Sequence, residues 1–206
     1  MEGICLQGLE KSYGGRTVLH QLSAVFPAGA VTCITAPSGG GKTTLLRILM
    51  GLESADSGTI TGLDGLKQSA VFQEDRLCEH LTPVSNIRLV RPALSSVSVL
   101  DAMQAVGLSG CEKQPVRELS GGMRRRVAIL RALLADYDIL FLDEPFKGLD
   151  HDTREKVISF TRARCAGRTV LLVTHDRSEA EALGAQTYLE LSRASIPDKA
   201  SGSTLT

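Results

Sequence analysis

The apolar positions of the chain fall into two kinds of run. Val31–Thr35 (VTCIT), residues 70–72 with their neighbours, residues 139–142 (ILFL) and Thr169–Val173 (TVLLV) are short, continuous and rich in β-branched residues. Continuous rather than alternating apolarity suits strands covered on both faces, as in a parallel sheet. Helical patterns lie between these runs. TTLLRILMGL follows Lys42, and after Ser120 the apolar positions Met123, Val127, Leu130 and Leu134 step along one face of a helix. Ser120 is placed to cap that helix. A further helix is expected over about 152–164. Strands alternating with helices indicate an α/β fold.

Two regions break this rhythm. The first 30 residues hold short segments interrupted by Gly14-Gly15 and Pro27-Ala28-Gly29, which reads as antiparallel hairpin material beside the main sheet. Residues 74–119 carry Pro83, Pro92, Pro115 and fragments such as LDAMQAVGL, which reads as a small helical insertion. From about Ser192 to Thr206 the chain is polar, small and aperiodic, and is expected to fray.

Composition narrows the function classes. A chain of 206 residues predicts one domain, or one domain with a subdomain. Lys plus Arg and Asp plus Glu are each 23, so no net charge draws the chain toward nucleic acid or anionic lipid. No apolar run approaches the roughly 18–20 residues of a membrane helix. The opening MEGICLQGLE lacks a basic stretch followed by an apolar one and does not read as a signal peptide. Cys5, Cys33, Cys78, Cys111 and Cys165 form no CxxC pair, which argues against a zinc knuckle or disulfide framework and for reduced cysteines.

The chemistry begins at APSGGGKTT, residues 36–44, between a predicted strand and a predicted helix. Glycines let backbone N–H groups converge on phosphate oxygens, and the helix that follows offers its positive end to the same anion. Ser38, Gly39, Gly40, Gly41 and Thr44 belong to this cradle. Lys42 can reach β- and γ-phosphates, and the Thr43 hydroxyl can ligate Mg²⁺. Ala36 stands where the usual GxxxxGK[ST] pattern has its first glycine.

A second signal is ILFLDEP, an apolar strand ending in Asp143 and Glu144. Unpaired carboxylates at a buried strand end are costly unless used. Asp143 could hold Mg²⁺, and Glu144 could polarise the water that attacks a γ-phosphate. Gln73 in FQED and His175 in VTHD also follow predicted strands. Ligands of open α/β sheets bind at the carboxyl ends of the strands, so all these groups would share one edge.

With these residues in place, the chain resembles the ATP-binding subunit of ABC transporters. LSGGM at residues 119–123, followed by RRRVAILRAL, is similar to that family's LSGGQ signature, with Met123 departing at the last position. The resemblance runs over about residues 3–191. It implies a P-loop NTPase (RecA-like) parallel-sheet core with an N-terminal antiparallel β-subdomain and a small α-helical subdomain, all in a single ABC ATPase domain. It also implies that Tyr13 stacks on adenine, that Gln73 is the Q-loop residue and a Mg²⁺ contact, that Asp150 belongs to the D-loop, and that His175 is the switch histidine, a candidate γ-phosphate contact counted with Glu144 and Gln73 as catalytic. ATP on one copy would be capped by Ser120, Gly121 and Gly122 of a second copy in a head-to-tail homodimer. The partners implied are separate transmembrane permease subunits, with a substrate-binding protein as an optional addition and no nucleic acid. The place implied is the cytoplasmic face of the membrane, peripherally bound. VFQEDRL, the phosphate loop and LSGGM together look most like nitrate, sulfonate, taurine or thiamine-precursor importer ATPases. With an end near residue 206, no additional C-terminal regulatory domain is expected.

An alternative is a soluble ABC-type ATPase acting on a nucleic-acid or ribosomal partner. The single cassette, neutral charge and scarce aromatics count against it. A P-loop small-molecule kinase would have no use for LSGGM. Elsewhere the bland readings hold. Arg124, Arg125, Arg126 and Arg131 are expected on a solvated helix face, Asp136 and Asp138 in a surface turn, and Leu45, Leu46, Leu49 and Met50 in the core.

Overall fold

The computed structural model describes residues 3–191. The expected fraying of the tail concerns residues outside that range. β1 (Ile4–Tyr13) and β2 (Arg16–Phe26) pair antiparallel around the Gly14-Gly15 turn, and β4 (Ser57–Thr61) joins the other edge of β1. This is the antiparallel layer expected from the broken N-terminal segments. The central sheet has the order β5-β6-β7-β3-β8, formed by β3 (Val31–Thr35), β5 (Gln68–Val71), β6 (Ile139–Asp143), β7 (Thr169–Val173) and β8 (Thr187–Glu190). Every pairing in it is parallel.

The helices are α1 (Lys42–Leu49), α2 (Pro83–Arg88), α3 (Ser96–Ala105), α4 (Gly121–Leu133), α5 (His151–Cys165) and α6 (Arg177–Leu183). Ser120 caps α4 by accepting from the Met123 N–H at 3.3 Å, as expected. Asp150 caps α5 in the same way through the Thr153 N–H. The segment between β5 and α4 carries the short helices α2 and α3 and one 3₁₀ turn, held at its start by Asn86, whose buried amide pins the backbone of Cys78 and Thr82. β4, α6 and β8 were not expected from the sequence. The first is mostly exposed and the last half exposed, and both are too weakly apolar to stand out.

The sheet divides the core in two. Ile34, Ile139, Phe141, Leu171 and Val173 face α1 and the antiparallel layer. Cys33, Leu140, Leu142, Val170 and Leu172 face α4, α5 and the small helical region. Alternate residues of β6 therefore serve opposite layers, as the two-residue period of a strand requires. Leu45, Leu46 and Leu49 are buried as expected, and Met50 packs against the same cluster. All five cysteines are free. The turn reading of Asp136 and Asp138 also holds: both bind Lys67 at the surface.

The arginine run departs from expectation. Arg125 is only 5% exposed. Arg126 reaches the carbonyls of Val106 and Gly107 at 3.0 and 2.7 Å, and Arg131 those of Arg76 and Asp75 at 2.8 and 3.2 Å. α4 lies between the sheet and the helical region, so a second face of it is covered. Arg125, Arg126 and Arg131 direct their donors at backbone carbonyls, whereas Arg124 keeps a side chain 40% exposed, beside Asp75.

Candidate functional site

The loop between β3 and α1 is shaped by its glycines. Gly41 caps α1 at φ +85°, and a Cβ there would meet Leu19 Cδ2 at 2.8 Å and Val18 Cγ1 at 3.0 Å. Both the left-handed backbone and the close approach of β2 require glycine. Ala36 also fits: its methyl occupies the space beside Gly40, where an added Cβ would lie only 2.7 Å away. The departure at the first glycine position is thus accommodated by the absence of a side chain at Gly40. The Gly40 N–H donates to Pro37 O at 2.9 Å, and Lys42 Nζ donates to Ala36 O at 2.8 Å.

Around this loop is a cleft of about 450 Å³, lined by Ser38, Gly39, Gly40, Gly41, Lys42, Thr43 and Thr44 together with Tyr13, Gln73 and Glu144. Arg16 and Val18 of β2 line it as well and were missed by the sequence reading. Nothing local marks them; they arrive through the pairing of β2 with β1. Tyr13 is 46% exposed and donates its hydroxyl to Glu53, which also pairs with Lys11 and Arg47. Partial burial raises the phenol above its ordinary pKa, so it stays a neutral aromatic platform.

At the floor, Thr43 Oγ1 donates to Asp143 Oδ2 at 3.0 Å, and Gln73 Nε2 lies 3.4 Å from both Thr43 Oγ1 and Asp143 Oδ1. Asp143 is 4% exposed. Burial pushes its carboxyl above the ordinary 3.8, and the hydrogen bonds from Thr43 and Gln73 pull it back in part. A hydroxyl, a carboxylate and an amide oxygen (the Gln73 amide turned over) make a hard oxygen set beside a phosphate loop. A buried carboxylate with spare acceptor capacity fits a divalent cation such as Mg²⁺.

Glu144 follows directly, at the left-handed φ of +46°. For a residue with a side chain this conformation is uncommon and costs about 1–3 kcal/mol. It is held by the Glu144 N–H on Val173 O at 2.9 Å and by the Lys147 N–H on Glu144 O at 3.3 Å. The carboxylate pairs with Lys147 Nζ at 3.0 Å, off line for a hydrogen bond, so Oε2 is buried with no hydrogen-bond partner among the described residues. His175 Nδ1 lies 3.8 Å from Glu144 Oε1. The histidine is 71% exposed and lines a neighbouring groove with Thr35, Asp176 and Tyr188. It therefore shares the strand edge and not the cleft wall.

The remaining sequence candidates cluster elsewhere. Ser120, Gly121, Gly122 and Asp150 are not among the residues lining the cleft. They form a patch of their own, in which a Cβ added at Gly122 would meet Leu149 Cδ2 at 3.7 Å and Gly148 O at 3.8 Å. Met123, where the chain departs from the signature, is partly buried and packs against the core.

Arg125 is the main residue the sequence reading missed. Its Nε donates to Pro145 O at 2.7 Å, Nη2 to Asp143 O at 3.1 Å and to Glu144 O at 2.7 Å, and Nη1 to Gln73 O at 3.3 Å and to Phe72 O. The available signal was its place in step with Ala128, Ile129 and Ala132, a second buried stripe on α4.

Comparison with known proteins agrees with this geometry. A profile described as ABC transporter matches residues 19–147. The chain is 40% identical over 193 residues to an aliphatic sulfonates import ATP-binding protein of Rhodococcus jostii, covering 91% of this chain and 78% of that one. It is 37% identical over 199 residues to a taurine import ATP-binding protein of Yersinia pestis, covering 89% and 78%. Among solved structures it is similar to a dimeric ATP-binding cassette in a post-hydrolysis state bound to ADP and phosphate. That match has a TM-score of 0.80 and 27% identity, over 91% of this chain and 94% of that one. A glycine loop, an acid pair at a strand end and a separate serine-capped helix start thus occur together in a chain that belongs to the ABC transporter family, as an ATP-binding cassette that hydrolyses ATP.

Proposed function

We propose that the chain powers an importer whose membrane-spanning subunits are separate chains, working as a homodimer with ATP between the two copies. One observation carries the reading. The cleft gathers the residues for one face of a triphosphate, whereas Ser120, Gly121 and Gly122 lie outside its lining on an exposed helix N-terminus. Backbone amides and a hydroxyl at such a helix start suit an anion brought by a second copy. The dimeric cassette of the similar solved structure supports the same arrangement. No helix among the described residues is long and apolar enough to cross a membrane; the place proposed for the chain, beside its membrane partners, is the cytoplasmic face.

The division of labour follows from the geometry. Tyr13 supplies an aromatic face for the base, and residues 38–44 bind the phosphates through backbone N–H groups. Lys42 exchanges its contact with Ala36 O for phosphate oxygen. Thr43, Asp143 and Gln73 would hold Mg²⁺, which when bound neutralises phosphate charge. Glu144 accepts the proton of the attacking water, and His175, 3.8 Å from it, orients that carboxylate. Asp150 caps α5 and fixes the backbone beside Gly122. Residues 74–119 form the helical subdomain of the single cassette and would pass closure to the membrane chains. The import direction rests on the named functions of the sulfonate and taurine relatives. A substrate-binding protein would be a further partner.

The test is purification of the protein from its native membrane in mild detergent, followed by identification of the chains that accompany it. Multi-spanning proteins are expected, with a substrate-binding protein for import. Ribosomes or nucleic acid in their place would refute the transport reading.

A further inference from the structure

We propose that Arg125 is a positioning residue for hydrolysis: its buried guanidinium ties the backbone of Gln73 and of Glu144 to the helix that opens with Ser120. This rests on the role of Glu144 as the base. The five N–H donors of a guanidinium lie in a fixed plane, and here they meet carbonyls from two strand ends. Phe72 and Gln73 follow β5; Asp143, Glu144 and Pro145 close β6. Asp75 adds a carboxylate 3.5 Å from Nη1. A side chain needed only for packing would be apolar here, because burying a guanidinium carries a large desolvation cost.

Two features give the contact a functional meaning. First, Glu144 sits at φ +46°, and the carbonyl of that same residue accepts the 2.7 Å bond from Nη2. Arg125 thus holds the turn that aims the Glu144 side chain. Second, Gln73 has weak side-chain contacts, both at 3.4 Å, so its backbone anchor decides where its amide lies. Arg125 stands within two turns of Ser120 on α4. Movement of the signature residues against a second copy's nucleotide is therefore passed through one rigid fork to Gln73 and Glu144 around the chain's own nucleotide.

The experiment uses the full chain with Arg125→Met, Arg125→Lys and Arg125→Gln. Arg125→Met keeps the apolar bulk and removes every donor. It should leave ATP affinity and KM within about twofold, and lower kcat by about 10²-fold, the scale of a catalytic group displaced by an ångström. Arg125→Gln, with two donors, should recover part of that loss. Hydrogen exchange reads the same effect without turnover. The amides of Glu144 and Lys147 should exchange faster in Arg125→Met, while those of residues 127–133 stay as in the parent. Unchanged kcat, unchanged exchange at those two amides, or a fall in ATP affinity parallel to kcat would each overturn the proposal. Should Arg125→Met fail to fold, Arg125→Lys decides. A single ammonium cannot bridge both strand ends, so parental kcat in that variant overturns the proposal as well. Glu144→Gln measured alongside separates the two ideas. An inactive Glu144→Gln beside an active Arg125→Met removes the role of Arg125 alone, whereas an active Glu144→Gln removes the base itself.

Discussion

Replacing Asp143 by Asn should make the nucleotide-free protein more stable while making it useless. The Asp143 carboxylate is 4% exposed and receives two hydrogen bonds, from Thr43 and Gln73, out of about four that it can accept. A buried polar group left short of partners costs about 1–3 kcal/mol. Asn retains one acceptor for Thr43, loses the charge, and its amide can face the Gln73 oxygen once that side chain turns over. A gain of about 1–2 kcal/mol is therefore expected, which for a domain of this size corresponds to a rise in Tm of about 2–8 °C. The pH dependence has a definite sign. Burial raises the folded-state pKa of Asp143 above 3.8, so between 3.8 and that raised value the native state holds the proton more tightly than the unfolded chain. The wild type loses this contribution as pH rises through the folded value. The advantage of the Asp143→Asn variant should thus be full at neutral pH and vanish in acid. Differential scanning calorimetry of both proteins from pH 4 to 8, with and without Mg²⁺, measures it. A variant that melts below the wild type at neutral pH, or that gains as much from Mg²⁺ as the wild type does, would refute the assignment of Asp143 as a buried, under-bonded carboxylate that takes a cation.

The other expectations concern turnover. Glu144→Gln should keep ATP binding, trap a closed dimer visible by light scattering, and lower turnover by about 10²–10⁴-fold; hydrolysis at the parental rate would remove Glu144 from its role. Lys42→Ala should lose nucleotide affinity in a binding titration, because one cation and its reach to the phosphates disappear. Ser120→Ala should bind ATP normally and hydrolyse it poorly, its hydroxyl acting on the other copy's nucleotide. In mixtures of Lys42→Ala and Ser120→Ala chains, activity per mixed dimer should match one site built from two different chains. Activity that simply averages the two parents would contradict a shared site.

The parts of the site legible in the sequence are those in which a short segment carries both its shape and its chemistry. Gly39 and Gly41 take left-handed φ values, Gly40 leaves room for Ala36, and the three adjoin Lys42 and Thr43 directly, so shape and chemistry are read from one segment. The apolar run of β6 likewise announced where Asp143 and Glu144 would emerge. The sequence misled where meaning came from distant packing. Arg125 sits among charges and reads as solvated; only the covering of α4 by the ends of β5 and β6 shows that its neighbours are carbonyls. His175 follows β7 as expected, yet its side chain turns toward the groove over β8, a strand too short and too exposed to be foreseen. Ala36 looked like a defect because its compensation lies at Gly40, across the turn.

The alternation of β6 between two layers has a consequence for inheritance. Phe141 and Asp143 share a parity, and that parity alone delivers a carboxylate to Thr43. Loss of a single codon within the ILFL stretch would send every following side chain to the wrong layer and offer the longer acid, Glu144, to the threonine. Point changes in this strand can be graded by size and polarity, whereas an in-frame deletion would at once put Glu144 in the place of Asp143, Asp143 in the apolar place of Leu142 and Pro145 in the place of Glu144. This strand should therefore tolerate substitutions within its apolar run far better than any change in its length.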